Sequence, residues 1–306
     1  MNKKVLAWIK IVRFQFYPMT WIAYSLGAAA AAGKLENFNP RIYGAGYLML
    51  FFVELTTILV NEYYDYGTDR LNKNAGPFTG GTRVLVAGEL TFAEVRAGII
   101  ASLLMAVGSA YLLMRISAPV SSFSIFLLVA VGLFLGLGYT GPPLKFSYRG
   151  FGEITVALTH SPYVILCGYI FQQGSWTDSL PWILSIPLFF ATLPAIILAG
   201  IPDRLADQEV SKKVIAVLCG PRQALFLAAF FVCVASLSGF LLWYFQIIRG
   251  SSSLMILAAV PHGIFLLVVL IQFIQSKNYD RRIDGLMSLA LSYILWFGII
   301  PLISFL

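Results

Sequence analysis

The chain has 306 residues, 59% of them hydrophobic and only 11% charged, with a formal net charge of +7 and a mean hydropathy of +0.82. This balance excludes an ordinary water-soluble domain and makes the lipid bilayer the solvent for most of the chain. The positive charge does not form a basic, aromatic-interleaved soluble segment, so it is read as a topology signal with some attraction for anionic headgroups, and no nucleic-acid partner is expected.

Apolar runs of about 20 residues, the length needed to cross the hydrocarbon, are predicted in chain order at 16–33, 42–60, 95–114, 119–140, 153–172, 180–201, 222–247, 254–275 and 286–305. Lipid offers backbone groups no partner, and these runs lack the polar alternation of barrel strands, so each is expected to be a helix. The expected fold is all-α, a polytopic membrane bundle of about nine transmembrane helices. One membrane-embedded domain is expected over 1–306, since no Pro/Ser-rich linker or change of composition divides the chain. The first run follows Lys3, Lys4, Lys10 and Arg13, but it is long, lacks a convincing small-residue cleavage site and is followed by eight more, and no removable signal peptide is expected.

Alternate threading of the runs places Lys34, Arg41, Arg115 and Arg249 on one side and the other 17 of the 21 Lys and Arg residues on the amino-terminal side. By the positive-inside rule the amino terminus and the longer, charged connections are cytoplasmic. An integral protein of the cell inner membrane is the expected setting. Cys167, Cys219 and Cys233 are isolated in or beside apolar runs, without metal-ligand spacing, and are expected to be free thiols.

The charged connection after the second run opens with acids. Asn61, Asp65 and Asp69 advance by one helical turn each, which stacks three oxygen ligands on one face. Asp203 and Asp207 repeat the arrangement where the sixth run leaves the membrane. Like charges at this spacing repel, and carboxylates without an accompanying His or Cys suit a hard cation such as Mg²⁺, which shares its coordination sphere with phosphate and water. Two such patches on one side of the membrane can clamp a diphosphate through bridging metal.

Basic residues near these acids, Arg83, Arg204, Lys212, Lys145 and Arg149, can bind phosphate oxygens, although topology alone would also place Lys and Arg here. Pro142, Pro143 and Gly150 would hold Lys145 and Arg149 in a defined loop. Glu54 shares the face of Asn61 about two turns deeper, where an ionisable group either serves an acceptor molecule or rests protonated against neighbouring threonines. His160 and His262 are lone histidines in apolar runs and are expected to be packed or hydrogen-bonded core.

The run Asn61-Glu-Tyr-Tyr-Asp65-Tyr-Gly-Thr-Asp69 resembles the first aspartate-rich motif of the UbiA superfamily of membrane prenyltransferases, and Asp203-Arg-Leu-Ala-Asp207 resembles the core of its second. The stretch Gly80-Gly81-Thr82-Arg83-Val84-Leu85 and the sequence from Tyr139-Thr140-Gly141-Pro142-Pro143 to Tyr148-Arg149-Gly150 are most similar to the MenA-type branch, which prenylates 1,4-dihydroxy-2-naphthoate in menaquinone biosynthesis. The resemblance implies that Asn61, Asp65 and Asp69 hold one Mg²⁺-diphosphate contact and that Asp203 and Asp207 hold another. It also implies an isoprenoid diphosphate and a small aromatic acceptor as substrates; no protein partner is evident in the sequence. Glu62 stands where an Asp is common, Gly200 stands where a polar ligand is frequent, and Tyr139 and Lys145 are six apart rather than in the family's Tyr-x-x-x-Lys spacing. Acceptors such as 4-hydroxybenzoate, homogentisate, a porphyrin or a glycerol phosphate remain open within the superfamily. A cation- or proton-coupled transporter is the rival of a different class, although carriers usually hold coupling acids nearer the bilayer midplane.

Overall fold

A computed structural model describes residues 3–117, 120–248 and 252–306, and these contain helices, turns and no strand. Arg249, one of the four basic residues expected on the outer side, lies outside the described residues. In chain order the helices are α1 (Lys3–Val12), α2 (Tyr17–Leu35), α3 (Pro40–Tyr64), the short α4 (Tyr66–Leu71), α5 (Phe92–Ile116), α6 (Ser122–Thr140), α7 (Gly152–Phe171), α8 (Leu180–Glu209), the single turn α9 (Ile215–Leu218), α10 (Pro221–Tyr244), α11 (Met255–Ser276) and α12 (Asp284–Phe305). Eight of them, α3, α5, α6, α7, α8, α10, α11 and α12, are long and apolar enough to cross a bilayer.

The nine expected runs all become helical, but the first differs in kind. In α2 the apolar character is diluted by Tyr, Thr, Ser, Gly and Lys, and ten of its residues are buried inside the bundle. It packs mainly against α7 and α12. The reason is visible at two glycines: a Cβ on Gly27 would stand 2.0 Å from the Ile165 carbonyl oxygen, and one on Gly168 would stand 2.1 Å from that of Tyr24. Small residues on both sides let the two backbones touch, which is how helices associate where water supplies no hydrophobic drive.

The amino-terminal helix α1 was not among the predicted runs. It buries Ala7 and Ile11 against Leu59, Val84, Leu85, Leu90 and Val95, while Val5, Leu6 and Ile9 stay exposed. Such a short helix, basic and apolar by turns, suits the membrane boundary rather than its interior. It caps the end of α3, and the chain leaves it through Arg13 at φ 57°. Helix α5 opens with a capping box in which the Thr91 hydroxyl and the Glu94 carboxylate satisfy one another's backbone amides, so the 72–91 connection ends at a fixed point.

Candidate active site

The acidic ends of α3 and α8 meet. Asn72 Nδ2 donates to Asp203 Oδ1 at 2.7 Å, and the Gly80 amide donates to Asp203 Oδ2 at 3.1 Å. The α3 helix yields at Asp65 (φ −86°, ψ 5°) before α4 begins, yet the Asp65 amide still bonds the Asn61 carbonyl at 2.8 Å and the Asp69 amide bonds the Asp65 carbonyl at 2.9 Å. The expected one-turn spacing of Asn61, Asp65 and Asp69 therefore survives across a break between two helices.

The 72–91 connection folds back over these acids. The Thr82 amide and hydroxyl donate to the two oxygens of Glu62 at 2.8 and 2.7 Å. Arg83 Nη1 donates to the carbonyls of Asp69 and Asn72, both at 2.8 Å. Arg83 thus ties α4 to the loop through backbone oxygens. Gly81, at φ +65°, lies against Asp69, where a Cβ would come within 2.1 Å of Oδ2; only glycine combines that conformation with that approach.

Lys212 joins the two patches. Its ammonium donates to Asp65 Oδ2 at 2.8 Å and lies 3.7 Å from Asp207 Oδ1. The Tyr148 hydroxyl donates to Asp65 Oδ1 at 2.8 Å, and the Tyr148 ring stands 5.3 Å from the Lys212 ammonium. Glu153 fixes the segment that carries Lys212, accepting the Ile215 amide on Oε1 at 2.7 Å. Burial alone would lower Lys212, but Asp65 and Asp207 outweigh it and hold the ammonium well above the usual lysine range. Burial, then Glu62 and Asp65, push the Asp69 carboxyl up to about 8.

Among the described residues, no three His, Cys, Asp or Glu side chains converge tightly enough to hold a metal ion unaided. The donor set nevertheless fits a hard cation that completes its shell with phosphate and water. Every candidate is an oxygen, and the buried Asn61 Oδ1 and Asp207 Oδ1 have no hydrogen-bond partner.

The other predicted basic residues sit differently. Lys145 stands with its ammonium 5.0 Å from the centre of the Tyr148 ring, on the margin of the site. Arg149 is exposed and donates from Nη2 to the Pro143 carbonyl at 2.8 Å. Arg204 donates to Asp280 Oδ1 at 2.7 Å, which turns it away from the acid on either side of it in sequence.

Beside the acids a cavity of about 260 Å³ enters the bundle. Arg13, Asn61, Phe16, Phe78 and Tyr139 line it, as do Glu54 and His160. Glu54 and Asn61 share one wall, as their spacing predicts, and Glu54 Oε2 is buried without a hydrogen-bond partner. His262 is the packed histidine expected, receiving the Trp296 indole N–H on Nδ1 and bonding the Leu289 carbonyl through Nε2. His160 is hydrogen-bonded through Nδ1 as expected, and it also lines the cavity. Arg13 and Tyr148 also belong to the site, and sequence reasoning gave neither a role. Arg13 is marked in the sequence only by the family resemblance of the entry into the first run, Arg13 with Tyr17-Pro18, and Tyr148 only by the resemblance of the Tyr148-Arg149-Gly150 stretch.

A segment spanning residues 20–293 matches the UbiA prenyltransferase family. Two relatives align with part of the chain: a 2-carboxy-1,4-naphthoquinone phytyltransferase of Synechocystis, 24% identical over 193 residues that cover 62% of this chain and 58% of that protein, and a 1,4-dihydroxy-2-naphthoate octaprenyltransferase of Bacillus subtilis, 28% identical over 196 residues that cover 61% and 58%. The chain thus spans less than two thirds of the length of these relatives. A UbiA homologue from Archaeoglobus fulgidus, solved bound to GPP and Mg²⁺, shares the fold at a TM-score of 0.65 and 18% identity, covering 97% of this chain and 99% of its own. With the family match extending across nearly all of the helical bundle, the chain belongs to the UbiA prenyltransferase family.

Proposed function

We propose that this protein is a Mg²⁺-dependent membrane prenyltransferase that joins the chain of an isoprenoid diphosphate to a small aromatic acceptor, 1,4-dihydroxy-2-naphthoate before others. The observation that carries the reading is the meeting of two carboxylate patches, bridged by Lys212, at the mouth of an apolar cavity. The two naphthoate-type relatives support the acceptor class, and the metal-bound neighbour supports the cation. Asn61, Asp65, Asp69, Asp203 and Asp207 would hold Mg²⁺ together with the diphosphate. When bound, the metal supplies Lewis-acid stabilisation to the departing diphosphate.

The chain's own residues do the rest. Lys212 and Arg13 supply fixed positive charge where negative charge grows on the leaving oxygens. The allylic carbon–oxygen bond breaks with its electron pair leaving on diphosphate, and the acceptor ring attacks the allylic carbon and then loses a proton, or carbon dioxide where the attacked ring carbon bears a carboxylate. Phe16, Phe78 and Tyr139 on the cavity wall face the cationic carbon with electron-rich rings, and the apolar lining keeps out the water that would otherwise quench it. Arg83 acts by holding the loop over Asp69 rather than by touching phosphate. Glu54 meets the acceptor. The positive-inside distribution supports a site facing the cytoplasm, within one membrane-embedded domain.

The test uses purified protein in liposomes, labelled prenyl diphosphate and a panel of aromatic and glycerol phosphate acceptors, with products identified by mass. Diphosphate release that requires Mg²⁺, with prenylated naphthoate as the favoured product, is the expected result. Cation flux without turnover would overturn it.

A further inference from the structure

Helix α7 is not uniformly α-helical: residues Thr159–Tyr163 form a π-helical turn that includes Pro162. Such single turns displace side chains from the register of the surrounding helix and recur at functional sites. Here the displaced segment contains His160, which lines the cavity. Its Nδ1 lies 3.0 Å from the Val156 carbonyl oxygen and 3.1 Å from the Thr159 hydroxyl. A carbonyl only accepts, so Nδ1 carries the proton and Nε2 carries the lone pair. Nε2 has no hydrogen-bond partner among the described residues. Nε2 is not among the buried unpartnered side-chain atoms, so it is accessible and free to accept from a ligand in the cavity that His160 lines.

The isoprenoid chain offers nothing to complete it, being hydrocarbon. An acceptor bearing a ring hydroxyl does. A cavity of about 150 Å³ holds one benzene in another protein, and the 260 Å³ found here accommodates a larger ring. We propose that His160 is a catalytic residue that binds the acceptor's ring hydroxyl at Nε2 and takes its proton as the ring carbon attacks. This rests on the prenyl-transfer reading and adds to it the chemical requirement that the acceptor be a phenol or naphthol.

The step balances. The O–H electron pair becomes the carbonyl of a neutral dienone, the ring carbon bonds to the allylic carbon, and the diphosphate leaves with the pair from the broken carbon–oxygen bond. If the attacked carbon bears a carboxylate, carbon dioxide leaves, its electron pair restores the aromatic ring, and the oxygen recovers its proton from the imidazolium. If that carbon bears hydrogen, its proton leaves with diphosphate and the imidazolium again returns its own to oxygen.

The experiment is equilibrium binding of 1-hydroxy-2-naphthoate and 1-methoxy-2-naphthoate to detergent-solubilised wild type, His160→Ala and His160→Phe, with thermal melting to check folding. Binding needs no turnover, so its outcome is separate from whether the enzyme prenylates anything. Wild type is expected to prefer the free hydroxyl by about tenfold, the worth of one hydrogen bond, and His160→Ala is expected to bind the two ligands alike. His160→Phe keeps the ring volume without the nitrogen and should also lose the preference, which separates the nitrogen from a merely space-filling role. A wild type without the preference, or a His160→Ala protein that keeps it, overturns the proposal.

Discussion

At the scale of single residues, the site is defined by how each carboxylate is engaged. Asp65 accepts hydrogen bonds from Tyr148 and Lys212 on its two oxygens, and Asp203 is held by Asn72 and Gly80, so both are already oriented toward the centre. Removing one group of a preorganised electrostatic site costs about 10²–10³ in turnover. Asp65→Ala and Asp203→Ala are each expected to lose that much while melting as folded membrane proteins; near-normal turnover at saturating Mg²⁺ would disqualify them as metal ligands. Glu54 sits deeper, on the cavity wall where the proposed acceptor would bind. Glu54→Gln is expected to change the acceptor KM by about tenfold, the scale of one pocket contact, and the prenyl diphosphate KM far less, as steady-state kinetics with each substrate varied would show.

Single elements explain which parts of this arrangement could be read in advance. The stacking of Asn61, Asp65 and Asp69 followed from helical periodicity, because the i, i+4 hydrogen bonds continue through the break at Asp65. Glu54 followed for the same reason. The fold-back of the 72–91 connection did not, since nothing periodic in that stretch says that Thr82 reaches Glu62 or that Gly80 reaches Asp203. His160 was read as core because a lone histidine in an apolar run carries no signal of the π-helical turn that displaces it. Basic residues were the hardest to sort: Lys212 and Arg204 sit in similar sequence surroundings, and only tertiary contacts send one to Asp65 and the other to Asp280.

Two element-scale outcomes follow. Gly168→Val forces apart backbones that now touch at the α2–α7 crossing; overpacking of this kind costs about 1–3 kcal/mol, and the melting temperature in detergent should fall accordingly. Glu153→Ala frees the Ile215 amide and loosens the segment bearing Lys212. Its KM for prenyl diphosphate should rise about tenfold, as for the loss of a charge-assisted hydrogen bond, with the acceptor KM altered less.

Over the described residues, hydropathy located the eight helices long and apolar enough to cross a bilayer but overstated the apolarity of α2, whose burial depends on small residues rather than on greasy ones. The bundle leaves many large apolar side chains on its outer surface, among them Leu104, Tyr111, Phe123 and Phe126, as a lipid-solvated protein should. If the proposed reaction depends on a divalent cation, turnover is expected to fall on chelation with EDTA and to recover with added Mg²⁺. Retained turnover after chelation would remove the metal from the proposed reaction.

Lys212 spans the two acidic patches like a keystone, one ammonium shared by an acid at the break between α3 and α4 and another near the end of α8. A substrate that arrives bearing its own negative charge competes with those acids for the lysine. Entry of a diphosphate is then an exchange of allegiances, and the favourable contacts it forms are offset by the ones it dissolves. Two aspartates released from their lysine are two oxygen donors made available at the same moment, so anion and divalent cation are expected to bind each more tightly in the presence of the other.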